Sequence, residues 1–476
     1  MSPDPRVAPA GSGSPERRQS DRGPAEQPLR IAYLVYRGNP HCGGQGVYTR
    51  YLTRELARLG HHVDVFSGQP YPDLEDPERL VQVPSLDLYR PENPFRIPWP
   101  WEFHTTIDVR EFAIMCGAGF PEPYTFSLRV RRLLRDRRAD YDLIHDNQCL
   151  GTGLAKMMDD GWPVLATLHH PITVDRDLDL AHATNPWRRF TLRRWYGFLG
   201  MQAKVARRIS RLVTVSESSK RDIVAKMGVD PTRLHVVPVG MDPEVFRPMP
   251  EVVRVPGRIM TTASADVPMK GLAPLLEALA KLRTEREDAH LVVIGKPKGK
   301  SRIPAVIERL GLAGMVEFVH GVSTERIVEL YAEAQLAVVP SLYEGFSLPA
   351  VEGMACGVPL VTTTGGALPE VVGRDGESAL TVPPSDPSAL ATAMLRALGD
   401  PALRDRIGAA GRDRALEKFT WRATAERTVD QYRALLSEQS GGGFAATARE
   451  SRSLRRRPGK QSGDGLAAKE EQRAHR

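Results

Sequence analysis

The sequence predicts an α/β protein of two Rossmann-like, doubly wound lobes with a cleft between them and a C-terminal helix that crosses back. Three observations predict it. Short apolar runs alternate with helical stretches, the pattern of parallel strands covered on both faces. The alternation comes in two series, over residues 29–242 and 257–420, separated by a linker over 243–256 that holds Pro243, Pro248, Pro250 and Pro256. A chain of 476 residues with 41% hydrophobic content also exceeds one core, because single cores stop growing at about 250–300 residues.

Residues 1–28 are rich in Pro, Gly, Ser, Arg and Glu with little to bury, so a disordered N-terminal tail is expected. The first series opens with an apolar run at 31–36, a helical stretch at 46–59 and a run at 62–66, a βαβ unit. Further strands are expected at 141–145, 163–168 and 211–215. Residues 69–123 fit the alternation badly, being long, Pro-rich and aromatic; the phrase 98–103, with Trp101, is too apolar for disorder, and an ordered insertion is expected. The second series has strands at 258–262, 290–294, 315–319, 336–339, 359–362 and 379–382, with helices at 272–283, 324–334 and 387–398 between them. A last helix at 421–438 is followed by Gly441, Gly442, Gly443 and a basic stretch, so 439–476 reads as a disordered basic tail.

Charge narrows the class of function. The formal net charge of +7 sits mostly at the ends: residues 441–476 carry nine Lys or Arg against four Asp or Glu. The near-neutral body lacks the clustered basic surface that nucleic acid requires, and no nucleic-acid partner is expected. Basic residues in such a tail suit attraction to an anionic surface rather than chemistry. Cys42, Cys116, Cys149 and Cys356 are scattered without metal-ligand spacing and read as free thiols. No apolar run reaches the length of a membrane span and no signal-peptide core opens the chain, so a cytoplasmic protein is expected.

The strongest local signal is Pro340-Ser341-Leu342-Tyr343-Glu344-Gly345-Phe346-Ser347-Leu348-Pro349-Ala350-Val351-Glu352. A buried strand ends near Pro340, a glycine-containing loop follows, and Pro349 suits a first helical position. The free N–H groups at 346–348 and the positive end of the helix form an anion site fit for a diphosphate. Glu352 is expected in the first helical turn and Glu344 in the loop before it. Carboxylates accept paired hydrogen bonds from vicinal hydroxyls, so one can hold a ribose and the other a hexose. Either acid alone reads as a solvated loop acid or a helix-dipole partner; their spacing changes the balance.

Glu-x7-Glu within E-G-F-S-L-P-x-x-E-x-M-A-x-G-x-P, continued by Thr363-Thr364-Gly365-Gly366-Ala367-Leu368-Pro369-Glu370-Val371-Val372, resembles glycosyltransferase family 4 of the GT-B architecture. The resemblance runs with gaps over residues 30–436. It implies a retaining enzyme that moves a hexosyl group from a nucleotide sugar to a hydroxyl acceptor, whether sugar, lipid-linked or small molecule, with no cofactor beyond that co-substrate. Position by position, it implies that Glu344 contacts the donor sugar, that Gly345 and the backbone of Phe346, Ser347 and Leu348 meet the sugar and distal phosphate, and that Glu352 holds the ribose. Lys270, in Pro268-Met269-Lys270-Gly271, matches the family's diphosphate-neutralising lysine. The base would be read by backbone around Gly321. One departure stands upstream, where the family commonly carries an arginine five residues before this lysine and the chain has Ala265.

In the first lobe, Gly43, Gly44 and Gly46 follow strand one and open a helix, resembling the family's loop against donor phosphate and acceptor; as a pattern alone, a tight turn explains them as well. His169 and His170 end a strand at the carboxyl edge of the sheet, where open α/β proteins bind ligands. Thr167-Leu168-His169 resembles the family's Thr-x-His, which gives His169 a place beside the reacting sugar. The insertion at 69–123 is then expected to shape the acceptor pocket. Asp175, Asp177 and Asp179 repeat Asp-x-Asp, a metal-holding pattern elsewhere, but the helix N-terminus already supplies a metal-free anion site and no metal is expected. From Trp187 to Ser216 eight Lys or Arg alternate with aromatics and no acid; this suits an anionic membrane face, yet the helical wheel is not clean, and packing on the sheet is the favoured reading. Two rivals remain on sequence alone, a nucleotide-sugar epimerase of the same architecture and a silent sugar-nucleotide-binding protein.

Overall fold

The computed structural model describes residues 27–39, 44–90, 92–169, 171–183, 185–262, 267–297 and 301–454, without the side chains of 174, 175, 178, 182 and 441–454. The first lobe runs β1 (Arg30–Val35), α1 (Gln45–Arg58), β2 (His62–Ser67), β3 (Leu80–Gln82), α2 (Thr106–Cys116), α3 (Glu122–Leu134), β4 (Leu143–Asn147), α4 (Thr152–Asp159), β5 (Val164–Leu168), α5 (Thr173–His182), α6 (Pro186–Trp195), α7 (Phe198–Ala206), β6 (Arg211–Thr214), α8 (Glu217–Met227) and β7 (Leu234–Val236). The second runs β8 (Arg258–Thr261), α9 (Leu272–Leu282), β9 (His290–Ile294), α10 (Ile303–Arg309), β10 (Val316–Val319), α11 (Thr324–Glu333), β11 (Leu336–Val339), α12 (Leu348–Ala355), β12 (Leu360–Thr363), α13 (Leu368–Val372), β13 (Leu380–Val382), α14 (Pro387–Gly399) and α15 (Pro401–Lys418), and the chain continues into α16 (Trp421–Leu454).

Both sheets are parallel throughout. Their orders are β3-β2-β1-β4-β5-β6-β7 and β10-β9-β8-β11-β12-β13, so each reverses direction once, between β1 and β4 and between β8 and β11. Strands such as β1 and β11 are buried on both faces and therefore read as apolar runs, while β4 is equally buried but ends in His145, Asp146 and Asn147. Helix α1 shows the complementary pattern: Tyr48, Leu52 and Leu56 recur at i+4 and are buried on its sheet-facing side, and Gly60, at φ 92°, turns the chain into β2.

The linker and α16 tie the lobes together. Met241 pairs with Thr420, and Met241 N–H donates to Phe419 O at 2.7 Å. Gly240 admits this crossing, since a Cβ there would lie 2.2 Å from Trp421 N. Helix α16 then packs along α1, with Trp421 stacked on Tyr51 at 5.4 Å and Tyr432 hydroxyl 2.5 Å from His145 Nδ1. The helix does not stop near 438: it continues to Leu454, so the first part of the tail expected to be disordered is helical. Residues 444–448, Phe-Ala-Ala-Thr-Ala, carry enough helix propensity to extend an existing helix past the glycines, each of which costs about 1 kcal/mol. Residues 455–476 and 1–26 lie outside the described residues.

The insertion is ordered and contains more regular structure than its sequence suggests, namely β3 and α2. Its core is an aromatic hub in which Tyr89 meets Phe95, Phe120 and Trp195 at 5.3–5.4 Å. Trp195, at the end of α6, packs on this insertion rather than on the sheet, while Val205 and Ala206 of α7 join the sheet's core, so the basic aromatic stretch packs as favoured only in its C-terminal half. At its N-terminal end it does not: Trp187 is 69% and Phe190 52% exposed, and α6 buries no residue. Cys116, Cys149 and Cys356 are free thiols, and among the described residues no helix is long and apolar enough to cross a membrane.

Candidate active site

Loops leaving the two reversal points face one another across the cleft, the place where open α/β sheets take ligands. On the second lobe these are the segment before α9, carrying Lys270, and the β11–α12 loop, carrying Glu344. Gly271 explains why they meet. With φ 70° and its missing Cβ only 1.9 Å from Pro340 O, it lets one backbone lie directly on the other, and Leu342 N–H donates to Met269 O at 2.8 Å. Lys270 Nζ consequently reaches Glu344 Oε1 at 2.7 Å, and Ser341 hydroxyl donates to the same oxygen at 2.7 Å.

The Thr363–Val372 motif lies beneath this loop. A Cβ on Gly365 would stand 2.5 Å from Leu342 O and one on Gly366 2.2 Å from Glu344 O, while Ala367 N–H donates to Glu344 O at 2.8 Å. Glycines there permit contact between two backbones, and the acid between them is held almost wholly buried.

Helix α12 begins from Ser347, whose φ of 100° is a strained value for a residue with a side chain. Its hydroxyl is buried and has no hydrogen-bond partner among the described residues. The N–H groups of Phe346, Ser347 and Leu348 likewise find no backbone acceptor there. Because the helix starts at Leu348, Glu352 is its fifth residue and lies in the second turn, not the first as expected from Pro349. Removal from water pushes its carboxyl from 4.5 up to about 7, and among the described residues no cation pairs with it.

On the first lobe, Gly44 (φ 73°) precedes α1, and Gly46 admits the carbonyls of Asn39 and Gly38, which a Cβ would meet at 2.0 and 2.5 Å. The role of Gly46 is thus close backbone approach. His169, at the end of β5, bonds through Nε2 to Asn147 Oδ1 at 2.7 Å and through its backbone N–H to Gln148 Oε1 at 2.8 Å, with Tyr48 edge-on at 4.6 Å.

Gly44, His169, Lys270, Glu344, Gly345, Phe346, Ser347 and Leu348 line one cavity of about 500 Å³ between the lobes. Glu352, Gly46 and Gly321 do not; Gly321 sits in the turn after β10 at φ 65°. Gly43, His170 and Ala265 lie outside the described residues. Asp177 and Asp179 stand on α5 rather than in a loop, one paired with Arg176 and Lys226, the other accepting from Tyr196 hydroxyl; the side chain of Asp175 is not described. Among the described residues no three acidic, His or Cys side chains converge as a metal site.

Sequence reasoning missed Asn147 and a set of contacts that close the cleft. The hydroxyls of Ser216 and Ser219 donate to Gly345 O at 2.6 and 3.0 Å. Glu370 caps the other lobe's α8, accepting from Glu217 N–H at 2.7 Å and Ser218 N–H at 2.8 Å, and Tyr343 hydroxyl bonds to Asp222. The polar run Asp146-Asn147-Gln148 at the end of β4 was the signal available for the first; the second joins residues about 120–150 positions apart and left no local trace.

Residues 42–245 match the model for Glycosyltransferase Family 4 and residues 252–414 that for Glycosyl transferases group 1. The chain is 52% identical to the MMP alpha-(1->4)-mannosyltransferase of Mycolicibacterium hassiacum, over 85% of this chain and 98% of that protein. It is 29% identical to a D-inositol 3-phosphate glycosyltransferase of Acidothermus cellulolyticus, over 87% and 92%. Among solved structures, sucrose-phosphate synthase from Thermosynechococcus elongatus aligns with a TM-score of 0.63 at 23% identity, over 86% of this chain and all of that one. HepE of Anabaena, in complex with UDP and glucose, aligns with a TM-score of 0.63 at 18% identity, over 85% and 99%.

Proposed function

Because the chain belongs to glycosyltransferase family 4, has the two-lobed GT-B fold and is a glycosyltransferase, we propose that it moves a mannosyl group from a nucleoside-diphosphate sugar to a hydroxyl of a sugar acceptor, with retention and without a metal. The name of the 52% identical relative supports mannose and an α-(1→4) link. The observation that carries the donor assignment is Ser347, strained and with a buried hydroxyl that has no partner among the described residues, at the start of a helix beside Lys270. Backbone strain of about 1–3 kcal/mol persists where the surroundings enforce it, and here it stands at a helix start where three N–H groups lack backbone acceptors among the described residues.

Each group then has a task. The α12 N-terminus and Lys270 meet the charge that grows on the departing diphosphate. Glu344, released from Lys270 by the phosphate, accepts hydroxyls of the sugar. Glu352 takes the ribose, and His169 faces the reacting sugar from the other lobe. The bond from C1 to the phosphate oxygen breaks, the acceptor oxygen joins C1 on the same face, and its proton passes to the leaving phosphate. No cofactor takes part. We place the reaction in the cytoplasm, with the exposed aromatics and arginines of α6 as the face that would meet an anionic membrane.

The test is nucleotide release from a panel of nucleoside-diphosphate hexoses, with and without an α-(1→4)-linked mannoside. We expect acceptor-dependent release, a product with the donor's anomeric configuration by NMR, and full activity in EDTA. An epimeric nucleotide sugar formed without free nucleotide would favour the epimerase reading, and binding without either change the silent one. Activity lost in EDTA and restored by Mg²⁺ or Mn²⁺ would overturn the metal-free assignment.

A further inference from the structure

We infer that Asn147 is a positioning residue that fixes which nitrogen of His169 carries its proton, and that the instruction originates in the first turn of α1. The inference rests on the proposed role of His169 beside the reacting sugar. It follows from the direction of four hydrogen bonds. Gln45 O is a carbonyl and can only accept. Thr49 hydroxyl lies 2.8 Å from it and spends its single proton there, which leaves the Thr49 oxygen as an acceptor toward Asn147. Asn147 Nδ2 stands 3.2 Å from that oxygen and 3.4 Å from Gln45 O, so the NH₂ end of the amide must face α1. Its Oδ1 therefore faces the other way, toward His169 Nε2 at 2.7 Å. Oxygen and nitrogen of an amide are often indistinguishable by shape, but here the carbonyl at the start of the chain leaves one orientation.

An amide oxygen only accepts, so His169 Nε2 carries a hydrogen and the neutral ring keeps its lone pair on Nδ1. An uncharged partner also gives imidazolium no special stabilisation, in contrast to a carboxylate at the same place. Among the described residues, the ionisable groups near the ring include Tyr48 on α1, His145 on β4, held neutral by burial with its value near 3, and Lys270 and Glu344 across the cavity. The result is a histidine held in one tautomer and one ring orientation by its neighbour on β4. Asn147 is fully buried and lines no part of the cavity, which separates it from the residues that would touch substrate. The chain of donors also gives the start of α1 a second task beyond close backbone approach, because Gly46 fixes Gln45 against Gly38 and Asn39.

The direct test is ¹⁵N NMR of the imidazole of His169 in the full-length protein above the pH at which the ring protonates. We expect the Nε2–H tautomer, with Nδ1 showing the shift of an unprotonated ring nitrogen; an Nδ1–H tautomer would overturn the inference. The kinetic test uses Thr49, which does not line the cavity between the lobes. Thr49→Val keeps shape and removes the relay: kcat should fall about three- to tenfold with donor KM within twofold, and Thr49→Ser should restore it. Asn147→Asp, whose carboxylate favours imidazolium, should move the acid limb of the kcat profile upward by about one pH unit. A Thr49→Val enzyme with unchanged kcat, or a loss that Thr49→Ser fails to recover, would refute the relay even where mannosyl transfer itself is confirmed.

Discussion

At the β8/β11 reversal the polar groups are fixed by backbone laid on backbone: Gly271 against Pro340, Gly365 against Leu342, Gly366 against Glu344, and a strained Ser347 opening α12. At the β1/β4 reversal they are fixed by side chains in series, Thr49 to Asn147 to His169 on one branch and Tyr432 to His145 to Thr167 on the other. The two constructions fail differently. A backbone cradle loses its geometry when any Cβ is added, whereas a side-chain relay keeps its geometry and changes its proton. That suits a lobe which must grip a fixed diphosphate and a lobe which must handle a hydroxyl.

The largest effect expected from this contrast is at Gly271. Gly271→Ala places a methyl group 1.9 Å from Pro340 O at φ 70°, so the segment bearing Lys270 must move. Misplacement by about 1 Å costs on the order of a hundredfold in rate, and kcat should fall that far although every polar side chain remains. Steady-state kinetics beside a thermal melt checks this; kcat within threefold of the parent would break the comparison.

A smaller effect separates grip from stability. Burial holds Glu352 at about 7, above its ordinary 4.5, so the folded state binds the proton more tightly than the unfolded one. Stability from this site is therefore full below about 4.5 and lost as pH rises through 7. Glu352→Gln should raise the apparent Tm at pH 8 by about 2–5 °C while raising donor KM about tenfold, the worth of a charged hydrogen bond. The two curves against pH should cross between 4.5 and 7, and a variant less stable than the parent at pH 8 would show that the carboxylate is paired in the fold.

The smallest effect concerns closure. Glu370→Gln keeps an oxygen at the N-terminus of α8 but removes the charge there, a matter of about 0.3–1 kcal/mol. We expect kcat/KM to fall two- to fivefold with the melt unchanged.

Much of the second lobe was legible because its site is local. Glu344, Ser347 and the anion helix occupy one stretch, and the glycines that support it stand in the next motif. Glu352 was placed one turn early because Pro349 suggests a helix start and nothing in the residue type of Ser347 announces a φ of 100°. The partner of Lys270 was also hidden, since its pairing with Glu344 depends on a glycine contact 69 positions away, between Gly271 and Pro340. In the first lobe His169 was visible as a strand-end histidine, but the residue that orients it is an ordinary Asn whose partners lie 22 and 98 positions distant. Helix α2 escaped because Pro and aromatic residues around it mask its period, although Thr105 and Asp108 form a capping box at its start.

The division of labour itself is best tested by donor-induced thermal shift. A ligand that binds only the folded state raises stability by about 2.7 kcal/mol at a hundred times its Kd, so a nucleoside-diphosphate mannose at saturation should raise the parent's Tm by several degrees. Lys270→Ala should lose most of that shift, and His169→Ala should keep it while losing turnover. The reverse result, a shift that survives Lys270→Ala and disappears in His169→Ala, would contradict the assignment of the donor to the second lobe.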